Sequence, residues 1–286
     1  MFTRAVFTRV RHPAAQQRSR PAGSGRWSRL RKRPSRILSG VAILLAGVAA
    51  VAGVDASASA SADGTLTQQE VHVDPGNGFG GGTIHYPPDA QGRLPAIVIA
   101  PALGAGRGYY EWNAAKLATY GFVAFAIDTN DPGDMFIQRR DQILAALDYL
   151  ANTSPVSDRV DASRMAAEGH SASAVGALLA GVQRPSLKAV VALAPVSAGI
   201  GAGDVAGLEV PSLLACGDAD GWAPPSQCQA LADAMPAGAP KETVAVPGAG
   251  HGFPTGDDQV AFPAELSWLQ QHVAGGVQSA PAGTAP

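Results

Sequence analysis

Cysteine, charge and long apolar runs are all sparse in this chain of 286 residues, and each scarcity excludes something. Two cysteines allow one bridge at most, and a body of this size buries roughly 70% of its unfolded surface without any metal or disulfide staple. Charged residues make up 15% of the chain, yet the 46% apolar share and the presence of aromatics exclude a mostly disordered protein. One apolar run alone approaches membrane-spanning length, which excludes a polytopic membrane protein. Acidic residues are missing from the first 36 positions, where eleven of the 21 basic residues lie. From Asp63 onward, 22 acidic residues against ten basic ones leave about −12. A body of that charge repels phosphates, so no nucleic-acid partner is expected. Length points to one domain of about 200 residues, or at most two.

What is present begins with the arm. Behind ten arginines and Lys32 comes Ile37 to Val54, 18 residues without a charge, then Asp55 and a run of alternating Ala and Ser. Basic stretch, apolar stretch and small-residue site are the three parts of a secretory signal, with cleavage after Ala58, Ala60 or Ala62. An uncleaved anchor is the alternative. With the signal removed, no stable membrane insertion is expected. Residues 1–62 are thus assigned to the export signal, 63–274 to a folded body and 275–286 to a disordered Gly/Pro/Ala tail. In an oxidising compartment, Cys216 and Cys228 form a disulfide candidate; the alternative is two small buried hydrophobes.

Within the body, short apolar runs alternate with amphipathic segments. The pattern predicts strands at 67–73, 83–86, 96–100, 123–128, 165–169, 189–194, 212–216 and 243–246. Helices are predicted at 110–120, 137–151, 173–181, 226–235 and 263–273. Continuous runs such as AIVIA, VAFAID, AVVALA and SLLAC suit strands buried on both faces of a parallel sheet. The alternation predicts an α/β fold, a doubly wound and mostly parallel sheet with helices on both faces. The first two strands, joined without a helix, predict an antiparallel edge. No connection is long enough for a separate lid domain.

Three residues stand where such a sheet places chemistry. Gly169-His170-Ser171-Ala172-Ser173 follows a strand and opens a helix, the setting of a nucleophile on a sharp turn, although a Ser occupies the position two after Ser171 where a Gly is expected. An acidic loop, Gly217 to Pro224, follows SLLAC and offers both Asp218 and Asp220. His251 lies between glycines after the last strand. Ser, then Asp, then His, each at a C-terminal strand edge, is the chain order of the α/β-hydrolase triad. Ser Oγ attacks a carbonyl, His takes and returns the proton, and Asp fixes the His tautomer. The oxyanion hole of such a site needs the Ala172 N–H and one from Pro101 to Gly104.

The stretches PAIVIAPALGAG, ATYGFVAFAIDTN, QILAALDYL, GHSAS, RPSLKAVVALAPV, GDADGWAP and GAGHGF together resemble the bacterial, mainly actinomycete, cutinases and polyester hydrolases, and the related single-domain Streptomyces-type lipases, over about residues 66 to 273. The resemblance implies the α/β-hydrolase fold, Asp220 as the acid, and the N–H groups of Leu103 and Ala172 as the oxyanion donors. It also implies a wall around the substrate. Leu103 replaces an aromatic residue there, Ala172 a Met, and Val196 a clamping Trp, while Trp222 stands where Ile or Val is common. Trp222 is expected to supply part of the wall that Val196 no longer provides, with His170, Tyr109, Tyr110 and Phe253 as further members. Trp112 is expected in the core.

The implied function is a secreted, monomeric serine ester hydrolase that cleaves polyesters such as cutin or poly(ethylene terephthalate), or short acyl esters, without metal or organic cofactor. A carboxylesterase or lipase on soluble esters or triacylglycerols is the alternative within that class. A catalytically silent hydrolase-fold binding protein is the alternative outside it.

Overall fold

The structure is a computed structural model, and it describes residues 64–197, 200–256 and 260–275. The expected export signal lies outside the described residues, as does the expected tail beyond Gly275. Eight strands and six α-helices follow in the described order. They are β1 (Gln69–Val73), β2 (Gly82–Tyr86), β3 (Leu94–Ala100), α1 (Glu111–Thr119), β4 (Val123–Ile127), α2 (Phe136–Asn152), β5 (Val160–His170) and α3 (Ala172–Gln183). Then come β6 (Ala189–Leu193), α4 (Ala202–Val205), β7 (Ser212–Gly217), α5 (Pro225–Ala234), β8 (Lys241–Val246) and α6 (Ala261–His272).

All eight strands form one sheet in the order β1-β2-β4-β3-β5-β6-β7-β8. β2 runs antiparallel to both β1 and β4, and every pairing from β4 to β8 is parallel. The apolar runs are buried from end to end in β3, β4, β6 and β7, because helices cover both faces of the sheet. Val98, Phe125, Ala167 and Leu214 share one cluster with α2, α3 and α5. Ile97, Ala124, Ala166 and Leu213 share the other with α1 and α6. β3 is the switch point: α1 leads from it to β4 on one side, and α2 leads on to β5 on its other side. Loops leaving the C-terminal ends of β3, β5, β7 and β8 therefore converge.

The starts of β1, β3 and β8 differ from expectation by two residues, and three further differences stand out. β5 starts at Val160 rather than Met165, because its first turn of strand, Asp161 to Arg164, is polar and half exposed and carries no apolar run. α6 starts two residues before Pro263, which is tolerated in a first turn where its missing N–H has no partner to lose. The four-residue α4 had no periodic signal. Among the described residues no separate lid domain covers the sheet.

Candidate active site

Ser171 sits between β5 and α3 with φ 58° and ψ −116°. For a residue with a Cβ that conformation costs on the order of 1–3 kcal/mol, so the turn must be held from outside. Its N–H donates to Leu193 O at 2.9 Å, and its own carbonyl accepts from Ala174 N at 3.1 Å. Gly169 is obligatory: a Cβ there would stand 2.1 Å from Ser173 O.

That contact involves the Ser173 backbone, which explains why Ser is tolerated where Gly was expected. Its side chain points elsewhere. Ser173 Oγ donates to Pro101 O at 2.5 Å and accepts from Arg139 Nη1 at 2.7 Å. Arg139, wholly buried, also donates to Pro101 O, Pro132 O and Asp134 O. Burial pulls its pKa down, against the opposing pull of Asp134.

The acid and base come from neighbouring loops that touch. A Cβ at Gly217 would meet Ala249 O at 2.1 Å, and Ala219 N donates to Ala249 O at 3.1 Å. Asp220 Oδ2 accepts from His251 Nδ1 at 2.7 Å, and His251 Nε2 lies 2.9 Å from Ser171 Oγ. The other carboxylate oxygen of Asp220 accepts from Trp222 N at 2.7 Å and Ala223 N at 3.0 Å. Burial raises the Asp220 pKa, but the bonds from Ala223, His251 and Trp222 outweigh it and hold the carboxyl below its usual value. Asp218 faces away and accepts from Gly248 N at 2.6 Å, which separates the two acidic candidates. A Cys216–Cys228 disulfide closes the loop that carries Asp220, tying the end of β7 to α5.

With Nδ1–H given to Asp220, Nε2 accepts from the Ser171 hydroxyl, the arrangement in which imidazole can take a proton from an attacking oxygen. The loop after β3 is pinned on both sides of Leu103. Pro101 O is held as above, Ala102 N donates to Tyr110 Oη at 3.1 Å, and Gly104 N donates to Pro132 O at 2.9 Å. Neither the Leu103 N–H nor the Ala172 N–H has a partner among the described residues. Two such donors beside a nucleophile suit a developing oxyanion.

The expected wall divides into two groups. Leu103, Tyr109 and Trp222 are exposed, Trp222 at 72%, and its ring lies 5.7 Å from the His251 ring at an angle of 26°. Val196 and Phe253 are half buried. Tyr110 and His170 do not belong to the wall: both are buried, and their polar atoms are engaged with each other and with backbone, which leaves no face for substrate. Trp112 is half buried, with its indole N–H on Pro254 O. Arg139 was missed, though its spacing from Phe136 and Ile143 put a charge in the apolar stripe of α2. Among the described residues no group of three or more His, Cys, Asp or Glu side chains is arranged to hold a metal ion.

The sequence model of the family described as PET hydrolase-like matches residues 50–278. Over 198 residues the chain is 35% identical to a bis(hydroxyethyl) terephthalate hydrolase of Streptomyces coelicolor, covering 68% of this chain and 63% of that protein. Over 200 residues it is 34% identical to cutinase 2 of Thermobifida cellulosilytica, covering 69% of this chain and 75% of that protein. The same identity and length hold for a cutinase of Thermobifida fusca, of which 61% is covered. The matched stretch thus spans less than two thirds of the Streptomyces coelicolor and Thermobifida fusca proteins.

Proposed function

This chain belongs to the PET hydrolase-like family, and from that premise we propose that it is a secreted serine hydrolase of carboxylic esters, of the cutinase and polyester hydrolase type. Ser171 Oγ attacks the ester carbonyl as His251 Nε2 takes its proton. The tetrahedral oxyanion rests on the N–H groups of Leu103 and Ala172. His251 then returns the proton to the leaving alcohol, and an acyl-enzyme remains. Water, deprotonated by the same imidazole, releases the acid and restores Ser171. Asp220 holds the tautomer throughout and stabilises the imidazolium. The observation that carries the reading is the unbroken line from Ser171 Oγ through His251 to Asp220, at 2.9 and 2.7 Å.

Export accords with the basic and apolar arm and with a disulfide, and among the described residues no helix is long and apolar enough to cross a membrane. The body, near −12 from Asp63 onward, does not repel an uncharged ester but does repel released carboxylates. Leu103, Tyr109 and Trp222, the exposed members of the expected wall, offer apolar surface suited to an aromatic or aliphatic polyester chain. The half-buried Val196, in place of a clamping aromatic, favours a second reading in which small soluble esters are the better substrates.

Ser171→Ala should lower kcat by about 10⁴- to 10⁶-fold with the fold intact; a variant keeping a tenth of the activity overturns the mechanism. Acid release from polyester film compared with p-nitrophenyl butyrate turnover, in the wild type and in Trp222→Ala, decides between the substrates. Polymer specialisation predicts a larger loss on film than on the soluble ester, and equal losses favour the second reading.

A further inference from the structure

Tyr110 and His170, withdrawn from the substrate wall, form a continuous hydrogen-bonded chain between two loops of the site. Ala102 N lies 3.1 Å from Tyr110 Oη, Tyr110 Oη lies 2.7 Å from His170 Nδ1, and His170 Nε2 lies 2.8 Å from His251 O. The direction of every bond is determined. The His251 carbonyl accepts only, so His170 Nε2 carries the hydrogen. In a neutral ring Nδ1 is then an acceptor, so the Tyr110 hydroxyl donates to it, and the hydroxyl oxygen is left to accept from the Ala102 N–H. Burial keeps His170 neutral, with a pKa lowered to about 4, and the His251 ring 5.1 Å away works in the same direction. Burial also raises the Tyr110 hydroxyl to about 12, so it stays a donor. Tyr110 Oη thus donates once and accepts once, and each ring nitrogen of His170 has one partner and one role.

Its two ends are informative. Ala102 precedes the expected oxyanion donor Leu103. The other end is the backbone of the base itself. Tyr110, which caps the start of α1, and His170, the last residue of β5, hold those ends, and the two residues are 1% and 3% exposed. We propose that Tyr110 and His170 are positioning residues that keep the oxyanion loop and the His251 loop in register, so that the donor at Leu103 and the imidazole of His251 meet the same tetrahedral centre. Neither touches substrate. The inference rests on the serine esterase reading above and adds to it a pair of residues that the chemistry itself does not require. Misplacing a donor by a fraction of an ångström weakens its bond to the oxyanion more than its contact with the ground state, so the loss belongs in kcat.

The test uses the full chain, with active sites titrated by a fluorophosphonate so that rates are expressed per competent site. Tyr110→Phe keeps the ring and removes the hydroxyl. Its kcat per titrated site should fall about 10- to 100-fold, with KM within about threefold and affinity for a phenylboronic acid falling by the same factor as kcat. His170→Leu breaks the chain at its other joint and carries the same expected loss. His170→Gln offers one acceptor and one donor in the ring's place and should stay within about threefold of wild type. A purely structural role lowers the melting temperature and the titre but leaves kcat per site unchanged. That result, a loss confined to KM, an unchanged boronate affinity, or a His170→Gln as impaired as His170→Leu overturns the proposal. Should Tyr110→Phe yield no folded protein, the His170→Leu and His170→Gln pair decides. Absence of fluorophosphonate labelling in the wild type would instead overturn the esterase reading beneath it.

Discussion

Between α1 and β5 lie two polar contacts of similar make-up and opposite condition. Toward the site, Tyr110 at the head of α1 meets His170 at the end of β5, and every polar atom is partnered. Three residues along the helix and two back along the strand, Asn113 meets Glu168. There the Asn113 amide donates to Glu168 at 3.0 Å and to both oxygens of Glu265, on α6, at 3.2 Å. All three side chains are buried, yet Asn113 Oδ1 and Glu168 Oε2 find no donor. Burial first, and the Glu265 carboxyl second, push the Glu168 carboxyl well above the usual range. A shared proton, donated from one carboxyl to the other, relieves the pair. The upper contact is thus a satisfied network of neutral groups, suited to fixing geometry. The lower one holds ionisable groups in an apolar layer and lowers stability at neutral pH. Distance from the chemistry separates them: an unsatisfied group beside Ser171 would blur the site, whereas one beneath it costs only stability.

That contrast can be broken in three ways. The largest expected effect comes from acid. Burial lowers the pKa of His170 in the folded protein from the ordinary 6.5 to about 4. The unfolded chain therefore binds a proton below pH 6.5 while the folded one resists it, and stability is lost as pH falls from 6.5 to about 4. The loss is roughly 3 kcal/mol. Urea unfolding across that range should show it as the difference between the wild type and His170→Gln, since the Glu168 carboxyl contributes in the opposite sense in both. Second, Asn113→Ala removes the amide between two buried carboxyls and should cost about 2 kcal/mol in the same assay, with kcat per titrated site within about twofold. A large fall in kcat would put the lower contact in the catalytic machinery and end the distinction. Third, Glu168→Gln keeps the acceptor for Asn113 and removes the charge. The raised pKa means that the wild type loses stability as pH rises above the usual carboxylate range. The variant should therefore be more stable at and above pH 7, by about 1 kcal/mol. Thermal unfolding at pH 5 and pH 8 checks the sign, since the gain should shrink at the lower pH.

How much of this was readable in the sequence depends on the range of each interaction. The buried strands announced themselves as continuous apolar runs, and Ser171, Asp220 and His251 stood at strand ends that a doubly wound sheet must bring together. The sharp turn at Ser171 was likewise local, marked by Gly169. By contrast, Ser173 looked like a defect in the turn because its partners, Pro101 and Arg139, lie 72 and 34 positions away. Tyr110 and His170 were placed on the substrate wall for the same reason: an aromatic residue near the site reads the same whether its ring faces solvent or a histidine 60 residues further on. Asp218 and Asp220 are neighbours of equal chemistry, and the geometry of the two loops distinguishes them. The polar start of β5 was lost because Asp161 to Arg164 carry no apolar run and fall in an irregularity of the pairing with β3, between Val160 opposite Leu94 and Met165 opposite Ala96.

Ester hydrolysis at this site requires Ser171 to be an activated nucleophile, and intact-mass measurement after incubation with a fluorophosphonate reads that directly. One adduct per chain is expected, mapped to the peptide bearing Ser171 and absent from Ser171→Ala. An unlabelled wild type, or an adduct that persists in the variant, would contradict it.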